Sequence, residues 1–161
     1  MASFLHTMVR ITDPEKSRGF YEALGFRFSR DMDIVRNGEL EATNYFFSLG
    51  ADENVLELTY NHDGRTYEVG TGYGHIAIGV DDLDGTLAAL QDAHGIEPER
   101  PPYQVSEGGS RICFVRDPDT WFETLNQALG LATSRKSAGG RHGVPSRPTS
   151  AWPPGQERLF R

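Results

Sequence analysis

Two stretches of the chain share the same order of hydrophobic and polar positions. In the first, an apolar, β-branched run follows His6, a helical pattern comes next, and several strand-like runs close the stretch. The second stretch begins in the same way at His75. Because matched order of this kind indicates an internal repeat, we predict two β-α-β-β-β units, at about residues 4–66 and 73–128.

Each predicted helix has its own start and stop signals. Asp13 can cap the first helix with Pro14 in its first turn, and Gly25 ends it. Asp82 stands at the matching position before the second helix, which Gly95 ends. The apolar stripes that would bury the two helices are Phe20, Tyr21 and Leu24 in the first and Leu83, Leu87 and Leu90 in the second.

The predicted strands after each helix are short. They cover 26–29, 43–49 and 54–60 in the first unit, and a weak run near Ile96, 111–115 and 121–125 in the second. A sheet of this size cannot bury its apolar face alone, so the two units must pack together or pair across a dimer. The expected fold is therefore α+β, with both repeats forming a curved mixed sheet in one domain at 1–131.

Composition changes the picture mainly at the end of the chain. Residues 132–161 are rich in Ser, Gly, Pro and Arg without apolar periodicity, which predicts a disordered basic tail. The net charge of the whole chain is −7 although the tail is basic, so the body before the tail is strongly acidic. An acidic body argues against a nucleic-acid partner. The absence of a long apolar run or a signal-peptide pattern, and the single cysteine, favour a cytoplasmic protein without a membrane segment.

The residues capable of chemistry stand at matched positions in the two units. Each unit opens with a histidine and has a glutamate in its last strand: His6 and Glu57 in the first, His75 and Glu123 in the second. Strand alternation places His6 on one face with Arg10, and Glu57 on one face with Asn61. Each residue alone is an ordinary surface side chain. Their recurrence favours a shared site for a borderline divalent ion such as zinc, nickel, cobalt, manganese or iron.

Four segments resemble the signature segments of bacterial glyoxalase I, or lactoylglutathione lyase, of the vicinal oxygen chelate superfamily. They are LHTMVR (5–10), FYEALG (20–25), LELTYN (56–61) and YGHIA (73–77). The resemblance extends from about residue 4 to residue 119. It implies a lyase that isomerises the hemithioacetal of methylglyoxal and a low-molecular-weight thiol to an S-lactoyl thioester, which removes methylglyoxal.

The resemblance also implies roles for individual residues. His6, Glu57, His75 and a glutamate of the last strand, for which Glu123 is the candidate, would bind the metal. Glu123 and Glu57 would be the catalytic carboxylates, with Glu123 as the general base. The short form of the chain is similar to the Ni²⁺- or Co²⁺-activated class, although Zn²⁺ stays an alternative.

Substrate binding and assembly follow from the same resemblance. Arg10 and Asn61 would contact the thiol substrate, with Arg10 holding a carboxylate, and His75 would face the substrate as well as the metal. Family members are homodimers with metal sites built between subunits, so a homodimer is expected here. The identity of the thiol, glutathione or another, is left open by the sequence.

The last strand departs from the family pattern. Members typically read Asp-Pro-Asp-Gly-aromatic-x-apolar-Glu, whereas DPDTWFET at 117–124 places the glutamate one residue early. If the turn is shortened, Glu123 faces the metal; if the register holds, Thr124 takes its place, because a slip of one residue exchanges the faces of a strand. We favour the shortened turn, since the alternative leaves an unpaired glutamate on the other face.

Two other functions fit a chain whose last ligand is lost. An Fe(II) extradiol dioxygenase-type enzyme needs two histidines and one carboxylate, which would be present if Thr124 takes the fourth position. A non-catalytic protein that binds small molecules on the same scaffold is the other.

Overall fold

The computed structural model describes residues 2–127, so the predicted tail at 132–161 lies outside the described residues. The elements in chain order are β1 (Thr7–Ile11), α1 (Pro14–Ala23), β2 (Phe26–Arg36), β3 (Glu39–Leu49), β4 (Asp52–Asn61), β5 (Ile76–Val80), α2 (Leu83–His94), β6 (Tyr103–Gln104), β7 (Arg111–Arg116) and β8 (Phe122–Gln127). The order β-α-β-β-β therefore occurs twice. Neither helix in this part of the chain has the length and apolar content that a membrane crossing needs.

The strands form two mixed sheets of four strands with the same topology. Their orders are β1-β4-β3-β2 and β5-β8-β7-β6. In each sheet the first strand pairs with the last in parallel, and the remaining neighbours are antiparallel. The prediction of an α+β fold made of two repeats is confirmed, although the strands form two separate sheets.

The helix boundaries follow from the capping residues. The Asp13 carboxylate accepts the backbone N–H of Lys16, and the Asp82 carboxylate accepts that of Gly85, so each aspartate satisfies one free donor of the first helical turn. Helix α2 ends at Gly95, which adopts the left-handed conformation (φ 66°) available to glycine without strain.

One apolar core joins the two halves. In each half, alternate residues of the sheet face the helices, as Val9 and Leu56 do in the first and Val115 and Leu125 in the second. Burying such a side chain stabilises the fold by about 1.5–3 kcal/mol. Since strand residues alternate between faces, the opposite faces, which include Glu57, are left for other contacts.

The structure differs from the predicted strands at two places. The strand predicted at 26–29 continues to Arg36, because Asn37 and Gly38 (φ 53° and 83°) form a two-residue turn that pairs it with β3. Most of β2 is exposed, so no hydrophobic alternation marked its length. The weak strand predicted near Ile96 is wrong: β6, two residues long, pairs with β7 instead.

Candidate metal centre

The first half brings an imidazole and a carboxylate together. The parallel register of β1 and β4 sets Met8 opposite Glu57, and His6 Nε2 lies 3.0 Å from Glu57 Oε2. The His6 side chain is 36% exposed and that of Glu57 is 12% exposed, so the pair is accessible from one side. The Thr59 hydroxyl donates to the other Glu57 oxygen (3.2 Å), which restrains the carboxylate.

Arg10 and Asn61 form a second polar pair beside these residues. An Arg10 guanidinium N–H donates to Asn61 Oδ1 at 2.6 Å, and the Tyr67 hydroxyl donates to the same oxygen at 2.9 Å. The guanidinium carbon also lies 5.8 Å from the centre of the Tyr67 ring. Asn61 is buried, so it holds Arg10 in one position. Tyr67 follows β4 in an irregular segment, so no periodic pattern marks it in the sequence.

His75 begins the corresponding site of the second half. Its ring packs edge-on against Phe114, with ring centres 5.5 Å apart, as the His6 ring does against Phe46 at 6.0 Å. Phe46 lies opposite Glu57 in the sheet register, and Phe114 lies opposite Thr124. Thr124 therefore has the position in the second half that Glu57 has in the first.

The parallel strand pairs agree with this correspondence. Two residues after His6, Met8 lies opposite Glu57; two residues after His75, Ala77 lies opposite Thr124. Glu123 lies opposite Ile76 and Val115, on the face that carries the core. The prediction that a shortened turn brings Glu123 to the ligand face is wrong.

The turn before β8 explains why the register holds. Thr120 adopts φ 71°, the left-handed conformation that favours the glycine of the family pattern, so the turn keeps its length without the glycine. One Asp117 oxygen accepts the backbone N–H groups of Asp119 and Trp121, at 2.9 and 2.8 Å. Asp119 in turn accepts from Thr12 and so ties the turn to the first half.

Glu123 is instead a core residue with unusual electrostatics. It is fully buried, and the Tyr21 hydroxyl contacts Glu123 Oε1 at 3.1 Å and Asp117 Oδ2 at 3.0 Å. Burial raises the pKa of Glu123 to about 8 and that of Asp117 to about 6. Burial, together with the two carboxyl groups, also raises the Tyr21 pKa well above its usual value.

These pKa values explain why Glu123 can lie on the core face. An ionised carboxylate without a partner would be costly there. A protonated Glu123 that contacts the Tyr21 hydroxyl costs much less, because the charge is absent at neutral pH.

Comparison with known proteins identifies the family. Residues 3–123 match the model of the Glyoxalase/Bleomycin resistance protein/Dioxygenase superfamily. The chain belongs to this superfamily. It is 42% identical over 118 residues to the lactoylglutathione lyase of Haemophilus influenzae. The matched region covers 71% of this chain and 84% of that protein. The family resemblance inferred from the four signature segments is confirmed.

Solved structures of glyoxalase I have the same fold. That of Leishmania major, described as trypanothione-dependent, superposes with a TM-score of 0.63 at 35% identity, over 78% of this chain and 86% of that one. That of Zea mays gives a TM-score of 0.67 at 31% identity, over 77% of this chain. The match spans only 44% of the maize chain, so this glyoxalase-family chain corresponds to less than half of it.

Membership of the glyoxalase family implies a divalent metal cofactor, and the donors of this chain fit one. Imidazole nitrogen and carboxylate oxygen suit borderline divalent ions. Within residues 2–127, no group of three histidine, cysteine or acidic side chains is placed to hold a metal ion, so His75 does not join His6 and Glu57. The ligands predicted from the sequence thus lie in two separate places of one chain.

Buried polar atoms on the same strand faces support the fit. Thr124 Oγ1, Asn126 Oδ1 and Asn44 Oδ1 are buried, and none has a hydrogen-bond partner in the described part of the chain. Thr124 and Asn126 share one face of β8, and Asn44 shares with Phe46 one face of β3. Buried polar atoms are normally satisfied, so these faces are suited to a ligand or a partner surface.

Proposed function

We propose that this protein is a metal-dependent lyase of the glyoxalase I type. It isomerises the hemithioacetal of methylglyoxal and a low-molecular-weight thiol to an S-lactoyl thioester. The observation that carries the proposal is the His6–Glu57 pair, 3.0 Å apart, in a chain 42% identical to a protein named lactoylglutathione lyase.

His6, Glu57 and His75 would hold the divalent ion. When bound, the ion acts as a Lewis acid on the two neighbouring oxygens of the substrate. We assign Ni²⁺ or Co²⁺ to the site, with Zn²⁺ as the alternative. Because Glu123 faces the core, Glu57 is the single carboxylate among the proposed metal ligands.

Glu57 is the proposed general base. Its carboxylate would take the proton from the hemithioacetal carbon next to the carbonyl and return it to the former carbonyl carbon. The reaction is an isomerisation: one hydrogen moves between the adjacent carbons and the hydroxyl proton passes to the former carbonyl oxygen, so nothing is gained or lost. The contact from Thr59 holds one Glu57 oxygen, so the other, beside His6, is oriented for the transfer.

Arg10 is the proposed substrate anchor. Its planar guanidinium group matches the geometry of a carboxylate, which peptide thiols such as glutathione carry. The short hydrogen bond to Asn61 fixes the guanidinium before substrate arrives, which reduces the entropy lost on binding. Asn61 itself would act through Arg10 and by its remaining amide donors.

We infer that the active form is a cytoplasmic homodimer. His75 lies apart from His6 and Glu57 in one chain, so a second copy is needed to bring it to them. Phe4 and Leu5, directly before His6, are more than 70% exposed, and exposed apolar side chains beside a site are typical of an interface.

The test is thioester formation, followed by ultraviolet absorbance with several thiols and several divalent metals. His6→Ala and His75→Ala should each lose bound metal and turnover. His94→Ala, at the end of α2, is the matched control and should keep both. Undiminished metal content in His6→Ala and His75→Ala would contradict the proposed metal site. A fully active monomer would contradict the proposed dimer.

Thr124 gives one specific reason to test a second activity. Two histidines and one carboxylate are also the donor set of Fe(II) oxygenases. A parallel assay should therefore load Fe(II) without oxygen, add a catechol, and then measure oxygen uptake. Oxygen uptake without thioester formation would favour the dioxygenase function. Binding without turnover in either assay would favour a binding protein.

A further inference from the structure

The position of Thr124 has consequences for the charge of the proposed site. Thr124 is only 5% exposed, and its hydroxyl oxygen has no hydrogen-bond partner among the described residues. The strand register sets it opposite Phe114, against which His75 packs. The strand position of Thr124 relative to His75 thus repeats the strand position of Glu57 relative to His6.

We propose that Thr124 faces the metal at the fourth ligand position, so that the loaded site carries one carboxylate and selects anionic chelating ligands. The inference rests on the proposed function, because it assumes that His6, Glu57 and His75 bind the ion. A divalent ion with two neutral imidazoles and one carboxylate has a net charge of about +1. A second carboxylate would cancel that charge.

The ligand class follows from this charge. A chelator that offers two neighbouring oxygens and one negative charge, such as a hydroxamate or an α-hydroxycarboxylate, neutralises the site on binding. A neutral chelator leaves it charged. Because Coulomb interactions are strong in a partly buried site, the anion binds more tightly than its neutral counterpart. Thr124 is therefore a residue that determines specificity.

The first measurement is metal binding to the metal-free protein by titration calorimetry. Thr124→Glu adds a charged ligand and should bind Ni²⁺ or Zn²⁺ about tenfold more tightly, or better, than the parent. Thr124→Asp, closer in size to threonine, gives a second variant in case the longer side chain disturbs the fold. Glu123→Gln is the matched control on the opposite face and should leave metal affinity unchanged.

The second measurement is acetohydroxamate binding to the metal-loaded proteins. The parent should bind this anion at least about tenfold more tightly than Thr124→Glu does, because the added carboxylate repels it. Circular dichroism establishes that each variant is folded.

Each outcome decides a different point. If His6→Ala abolishes metal binding but neither Thr124 variant tightens it, the inference is overturned and the proposed function stands. If the parent binds no divalent metal, both fail. Weaker metal binding by Glu123→Gln than by the parent would also overturn the inference, since it would show that Glu123, and not Thr124, lies on the ligand face.

Discussion

The two halves of the molecule have the same strand order and the same register but differ in where their polar residues lie. In the first half, Leu56 faces the core and Glu57 lies on the opposite face of its strand; in the second, Glu123 faces the core and Thr124 lies on the opposite face. The carboxylate has moved by one residue while the backbone has not. The two repeats therefore share one fold while their carboxylates lie on opposite faces of the sheet.

The two helices show the same kind of difference. Tyr21 in α1 and Leu90 in α2 stand at matching distances from their capping residues, and both are fully buried. Tyr21 contacts Glu123, so the core holds one polar pair where the matching residues, Leu90 and Leu56, are apolar. The Tyr21 hydroxyl therefore gives the buried glutamate of the second half a polar contact that the first half does not need.

The largest expected effect separates Glu57 from Thr124. Glu57→Gln removes the proposed base and a charged ligand, so turnover should fall on the order of 10²–10⁴-fold, because an amide cannot accept the proton. Thr124→Val removes a neutral hydroxyl rather than a charge or a base, so its loss of turnover should be at least about tenfold smaller than that of Glu57→Gln. Thioester formation at saturating metal measures both. Equal losses in the two variants would show that both halves supply catalytic groups.

The next effect concerns the pH dependence of stability. In the folded protein burial raises the pKa of Glu123 to about 8, against 4.5 for an exposed glutamate. Between these values the unfolded chain gives up the proton and the folded one keeps it, so the free energy of unfolding falls as pH rises through this window. Stability is highest below the lower value and levels off above the higher one.

Glu123→Gln should remove this contribution. Urea denaturation of the parent should show a loss of several kcal/mol at most between about pH 5 and pH 8, since one pKa unit corresponds to about 1.4 kcal/mol. The variant should show a clearly smaller loss. Part of the slope should persist, because burial also raises the Asp117 pKa to about 6. Parallel curves for parent and variant would mean that Glu123 is ionised in the core.

How much could be predicted from the sequence depends on which physical signal each feature carries. The repeats, the helix caps and the placement of Glu57 follow from local patterns, namely periodicity, Asp at the helix start and strand alternation. The face of Glu123 depended on the length of one turn. The length of this turn is set by Thr120 at positive φ and by the contacts of Asp117. No short-range sequence pattern predicts either feature.

The hairpin between β2 and β3 offers the opposite case. Its Asn37–Gly38 turn is a strong local signal, but the exposed residues of β2 show no alternation, so the strand was predicted too short. The separation of His75 from His6 and Glu57 within one chain depends on the tertiary arrangement, so no local sequence pattern indicates it.

A smaller effect tests the polar pair in the core. Tyr21→Phe removes the hydroxyl that contacts both Glu123 and Asp117, and should cost about 1–3 kcal/mol, the usual penalty for leaving buried groups unsatisfied. Leucine occupies the matching position in the first half, at Leu56. Adding Glu123→Leu to Tyr21→Phe should therefore restore part of the lost stability. Urea denaturation near neutral pH measures both variants. A double variant less stable than the sum of the single changes would contradict the pairing.

The smallest effect compares the two helix caps, which occupy matching positions and should behave alike. The Asp13 and Asp82 carboxylates accept backbone N–H groups at 3.1 and 3.0 Å, so Asp13→Ala and Asp82→Ala should each cost about 1 kcal/mol. Asparagine at either position should keep most of that stability, since its oxygen accepts the same bond. The added Lys16 ion pair at Asp13 is exposed and should contribute little.

The contribution of the first cap, Asp13, to stability should depend on pH in the acid range. The hydrogen bond from the Lys16 backbone N–H, with help from its side chain, lowers the pKa of Asp13, so its contribution is present above the unfolded pKa and is lost as pH falls through the folded one. The deficit of Asp13→Ala relative to the parent should therefore shrink toward about pH 3, whereas Asp13→Asn should stay close to the parent at neutral pH. Urea denaturation at both pH values measures this. A deficit for Asp13→Ala that persists unchanged in acid would mean that the carboxylate charge plays no part, and that the cap works through hydrogen-bond geometry alone.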